Sequence, residues 1–119
     1  MRKWLENVCN WKSLSERKLY RVCIVKIHKS AKAIQVTLEH LDEEERGRIT
    51  QVAVPRPIRP TGLAADFFKA CGTDVMVGMQ IAPLDCIGTT IKARFAKGSD
   101  GNWQATHFEP LTKENNNEC

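Results

Sequence analysis

The stretch Gly62–Gly72, GLAADFFKACG, constrains this chain most. Leu63, Phe67 and Ala70 fall on one face at helical spacing, with Phe68 and Cys71 beside them. Asp66 and Lys69 face the other way. Thr61 stands where a side chain accepts a bond from a first-turn amide, and Gly72 where a left-handed residue ends a helix. The runs on either side read as strands, three before and two after. One short helix set into a chain of strands leaves few ways to close a core.

Leu19–Lys29, LYRVCIVKIHK, is the first strand. Val22 and Ile24 share one face, and Cys23, Val25 and Ile27 the other. A strand that bends and serves both halves of a closed sheet has this pattern. Ser30–Lys32 turns the chain. Ala33–Leu41 alternates cleanly, with Ile34, Val36 and Leu38 set against Gln35, Thr37 and Glu39. Asp42–Arg46, DEEER, and Gly47 form a solvated charged turn. A third strand runs from Arg48 to Val54, with Ile49, Val52 and Val54 as its apolar positions.

The PRPIRP of Pro55–Pro60 cannot continue a strand and is expected as an extended link. After the helix, Val75, Met76, Val77 and Met79 are apolar enough to be buried. Pro83 suits the start of a brief helical turn. Thr89–Ala96 sets Ile91, Ala93 and Phe95 inward and Lys92 and Arg94 outward. Lys97–Asn102, KGSDGN, is a hairpin loop, and Trp103–Phe108 is the last strand, closed by Pro110.

Three strands, a helix and two strands is the element order of an OB-fold, a small Greek-key barrel with a helix at its open end. The expected fold is therefore all-β: a five-stranded OB-fold barrel with one helix, order βββαββ, over residues 19–110. At 119 residues the chain is long enough for one such core. Residues 1–18 form an N-terminal arm. Trp4, Val8 and Trp11 lie at i, i+4 and i+7 with Leu5 beside them, the pattern of a short amphipathic helix. That arm either caps its own barrel or docks on another chain. Residues 111–119 lack any core pattern and are expected to be a disordered tail.

The charge balance is mildly basic: 18 Lys and Arg against 14 Asp and Glu. It permits a polyanionic partner without requiring one. Five cysteines without a C-x-x-C, and three histidines without paired spacing, argue against a metal site. Thiols in odd number fit a reducing, cytoplasmic setting. No apolar run reaches membrane-spanning length, and no apolar stretch follows the basic MRKW start, so neither a membrane segment nor a secretory signal is expected. The chain carries no glycine-rich phosphate loop, nucleophile elbow or His-x-x-x-His pair, so neither an enzyme nor a cofactor is expected.

Four motifs add to this. They are the Glu45-Arg46-Gly47-Arg48 turn, the helix ending Phe-Phe-Lys-Ala-Cys-Gly (67–72), Cys86-Ile87-Gly88 before a strand with alternate basic residues, and the closing Trp103…Phe108-Glu109-Pro110. Through them, Leu19–Pro110 resembles the small OB-fold single-stranded DNA-binding proteins of phages and mobile elements. The resemblance implies sequence-tolerant binding of single-stranded DNA.

Such binding needs cations along a groove for the phosphates and flat side chains to stack on bases. On an OB barrel the groove crosses strands two and three, between the loop after strand one and the loop joining strands four and five. Lys29, Lys32, Arg48, Lys92, Arg94 and Lys97 fall on those elements or their edges, and Tyr20 and Trp103 are the stacking candidates. Outward Lys and Arg are also ordinary edge protection. The acidic Glu39 and Asp42–Glu45 would repel phosphate if they bordered the groove. The leading expectation is non-catalytic binding of single-stranded nucleic acid, DNA before RNA. The alternative is a protein-interaction module, a subunit of a larger complex or a homo-oligomer. Its contacts would be Trp4 and Trp11 of the arm and Arg56 and Arg59 of the link.

Overall fold

The computed structural model describes residues 3–5 and 13–111. Most of the helix expected over residues 2–11, and the tail after Leu111, lie outside the described residues. Five segments form strands: β1 (Tyr20–Lys29), β2 (Ala33–His40), β3 (Ile49–Pro55), β4 (Thr90–Lys97) and β5 (Trp103–Pro110). Helix α1 (Leu63–Ala70) lies between β3 and β4, and short 3-10 turns cover Glu43–Glu45 and Pro83–Cys86. Each strand pairs antiparallel with its neighbours, in the order β3-β2-β1-β4-β5. The edge strands β3 and β5 come against each other, and α1 packs on both. The result is an all-β, barrel-like sheet with one helix over its seam and the expected element order. Among the described residues, no helix is long and apolar enough to cross a membrane.

The inward faces of all five strands meet in one core. Val22 and Ile24 of β1, Val36 and Leu38 of β2, Val54 of β3 and Phe95 of β4 are fully buried. Helix α1 adds Phe67 and Phe68. The Phe67 ring stands edge-on to those of Phe68 and Phe108, at 5.0 and 5.1 Å, which ties α1 to β5. At its start Gly62, with φ of +106°, takes the N-cap place and no side chain caps the helix, so Thr61 does not have that role. At its end the Thr73 and Gly72 amides donate to the Phe68 and Lys69 carbonyls (2.9 and 3.0 Å), with Gly72 at φ +93°. This closure needs a left-handed residue and satisfies the last carbonyls.

Two bulges set which side chains face out. β1 pairs Ile24 with Leu38 and then Lys26 with Thr37, so Val25 is an extra residue. Beyond it the faces exchange. Ile27 packs on the core, while Lys26 and His28 face solvent. Strict alternation from Val22 and Ile24 would have turned both of them inward. On β5, Thr106 is extra between the Arg94–His107 and Phe95–Ala105 pairs, so Ala105 and Phe108 both reach the core.

Several expectations change. Val75 is buried, but Met76, Val77 and Met79 are exposed. Their segment lies outside the sheet, and one side chain of it reaches the core. On β3 the inward phase is Thr50, Val52 and Val54, because Thr50 pairs with Leu38; Ile49 is exposed. The charged turn is not wholly solvated, since Glu45 is buried. The link is not uniformly extended: its Arg56–Pro57 peptide is cis.

Candidate nucleic-acid interface

The outer face of β1, β2 and β3 is built from cross-strand rows. Lys26, Thr37 and Gln51 form one row; His28, Gln35 and Ala53 form the next. Lys26, His28, Gln35, Thr37 and Gln51 line a shallow groove of about 350 Å³. Among the described residues, its lining is made of hydrogen-bonding side chains and one ammonium, with no carboxylate. Beyond its end the β1–β2 turn carries Lys32; Lys29, the last residue of β1, pairs with Ile34 on the other face and lines the neighbouring apolar cavity. That turn is held firmly. The Ser30 amide and hydroxyl both donate to the Ala33 carbonyl at 2.9 Å. The Arg56 amide donates to the Lys32 carbonyl at 3.0 Å, and Arg56 Nη1 donates to the Ser30 carbonyl.

The acidic hairpin tip is anchored at the other end of β1. Arg21 Nε donates to Asp42 Oδ1 at 2.9 Å, and the Arg21 amide to Asp42 Oδ2 at 3.2 Å. Burial opposes ionisation of Asp42, but these bonds outweigh it and hold the carboxyl below its usual range. Arg48 Nη1 donates to Glu45 Oε1 at 2.9 Å, and both side chains are largely buried.

The residues expected from the sequence do not form one surface. Lys32 stands on the turn at the end of the groove, and Lys29 lines the apolar cavity on the other face. Arg48 is paired with Glu45 and largely buried, away from the groove lining. Lys92 and Arg94 face outward on β4, half-buried, opposite Glu109 and His107 of β5. The Arg94 Nε is buried without a hydrogen-bond partner, and His107 Nε2 lies 2.8 Å from Glu109 Oε2. Lys92 pairs with Arg21 of β1, so it lies ~25 Å along that strand from Lys29 at the usual rise per residue. Lys97 and Trp103 flank the β4–β5 loop, with Lys97 Nζ 5.9 Å from the indole centroid. Trp103 is half-buried against the core.

Tyr20 is 2% exposed. The Ser15 amide donates to its hydroxyl at 2.6 Å, and Lys18 Nζ covers its ring at 5.0 Å. It presents no face to a base and is a core residue. Of the alternative contacts, Trp4 is 86% exposed, Trp11 lies outside the described residues, Arg56 braces the β1–β2 turn, and Arg59 is exposed.

Sequence reasoning missed Lys26, His28, Gln35, Thr37 and Gln51 as groove residues. The alternation of β2 already put Gln35 and Thr37 outward. The mixed faces of β1 mark a bend, but nothing in the sequence places it at Val25, where it brings Lys26 and His28 beside them. Among the described residues, no three His, Cys, Asp or Glu side chains are grouped to hold a metal. Compared with known proteins, the chain matches no family model, no curated protein sequence and no solved structure.

Proposed function

We propose that this chain is a non-catalytic OB-type barrel that binds single-stranded nucleic acid, DNA in the first instance. The strand order, with edges β3 and β5 meeting under a helix, supports the OB reading. The carrying observation is the outer face of β1–β2–β3, where Lys26, His28, Gln35, Thr37 and Gln51 line a groove with no carboxylate among its described lining residues. It ends at the braced turn that bears Lys32. Phosphates would take Lys26 and Lys32, and the two glutamines and Thr37 would bond to bases or sugars without demanding one sequence. His28 is the one ring among the groove's described lining residues, so stacking is limited and electrostatics dominates.

The test is the double variant Lys26→Glu with Gln51→Glu. Both positions are exposed, so the fold should survive. Affinity for a labelled oligo-dT should fall by about tenfold or more. Unchanged affinity would remove the groove from the account. A second reading, docking of a protein partner, is favoured by a different surface.

A further inference from the structure

Apolar side chains gather between β1, the link and the segment after α1. Ile27, Ile34, Ile58, Ile81 and Leu84 line a cavity of about 530 Å³, with Lys29 and Arg56 at its wall. A second cavity of about 240 Å³ shares Ile58 and Ile81 and continues past Arg59 along residues 75–79. The two make one groove. Beside it Met76 is 62%, Val77 88% and Leu84 64% exposed. Isolated exposed apolar residues need no explanation, but a contiguous set beside a cavity marks a docking surface.

The charge on this groove selects its occupant. Lys29, Arg56 and Arg59 line it together with His28, and no acidic residue is among its described lining residues. Asp74 and Asp85 are close in sequence but do not line it. We infer that this groove docks an acidic segment of a partner protein. The partner's bulky apolar side chains would seat on Ile58, Ile81 and Leu84, and its carboxylates on Arg56, Arg59 and Lys29.

The terminal segments of this chain have the wrong chemistry. Residues 1–12 carry Arg2, Lys3 and Lys12 against Glu6, and residues 112–119 hold acids but no bulky apolar side chain. A nucleic-acid strand would meet cations here but, among the described lining residues, no Phe, Tyr or Trp for its bases. Methionines and branched aliphatics beside arginines are what an apolar-anchored acidic peptide needs.

The test is selection of random phage-displayed dodecapeptides on the intact chain, followed by titration of the enriched peptides. Enriched sequences should combine Asp or Glu with Leu, Phe or Trp. Leu84→Glu and Arg59→Glu, both at exposed positions, should each weaken binding about tenfold or more without lowering the melting temperature. Lys26→Glu with Gln51→Glu should leave peptide binding unchanged, which separates this surface from the strand-face groove. The inference is overturned by no enrichment, by basic or purely polar peptides, or by equal binding to Leu84→Glu. It also fails if oligo-dT displaces the peptides and loses its own binding in Leu84→Glu. It fails equally if sedimentation shows self-association that Leu84→Glu abolishes.

Discussion

His40 Nε2 lies 2.8 Å from Thr50 Oγ1 inside the barrel. The imidazole is fully buried, edge-on to Tyr20 at 5.5 Å and tilted against Phe95 at 5.6 Å. Its Nδ1 has no hydrogen-bond partner. Burial, then the Arg48 guanidinium, pushes its pKa below the ordinary 6.5, against a smaller opposing pull from Glu45 and Asp42. The fold therefore holds a neutral imidazole where the unfolded chain takes up a proton.

The sign of the pH dependence follows. Below about pH 6.5 the unfolded state binds more protons than the folded one, so stability falls with pH. The loss starts there and continues down to the folded pKa. Urea midpoints should drop between about pH 7.5 and about 5.5, and His40→Gln should flatten that slope. An equal slope in the variant would show that another group titrates. Asp42, whose carboxyl is held below its usual range, adds a separate loss below about pH 4.

The Glu45–Arg48 pair is structural. Removing one partner leaves a charge in a largely buried place, so Arg48→Met should cost about 2–3 kcal/mol. Glu45→Leu together with Arg48→Met should recover most of it. Urea unfolding at constant m-value measures both. A neutral single variant would return Arg48 to the pool of free cations.

Phe67 joins α1 to Phe108 of β5, over the seam between the edge strands. Truncation to Ala should cost about 3–5 kcal/mol through lost burial and a residual cavity. Lys69→Ala, on the exposed face of the same helix, should change stability by less than about 0.5 kcal/mol. Comparable effects at the two positions would mean that the helix does not close the barrel.

The order of elements was readable because periodicity is local. The spacing of 3.6 in Leu63–Ala70 and of 2 in Ile34–Leu38 each records burial of one face. The site was less readable because it depends on register. Val25 and Thr106 shift the phase of β1 and β5, and neither carries a glycine or proline that would mark a bulge. Tyr20 looked like a surface ring because a half-apolar strand has two plausible inner faces. Arg48 looked free because its partner, Glu45, sits in a run of acids that sequence alone treats as solvated. Met76 and Val77 looked buried because hydrophobicity says what a side chain favours, and no described residue covers them in their loop.

The most direct measurement is the anisotropy of a fluorescein-labelled oligo-dT of about twenty nucleotides, titrated with the chain at several salt concentrations. Lys26 and Lys32 at the groove predict that log affinity falls with log salt at a slope of about −1.4 between about 50 and about 200 mM. Saturable binding with that slope, lost in Lys26→Glu with Gln51→Glu, is the result this account requires. No binding at low salt, or binding indifferent to the double variant, would contradict it.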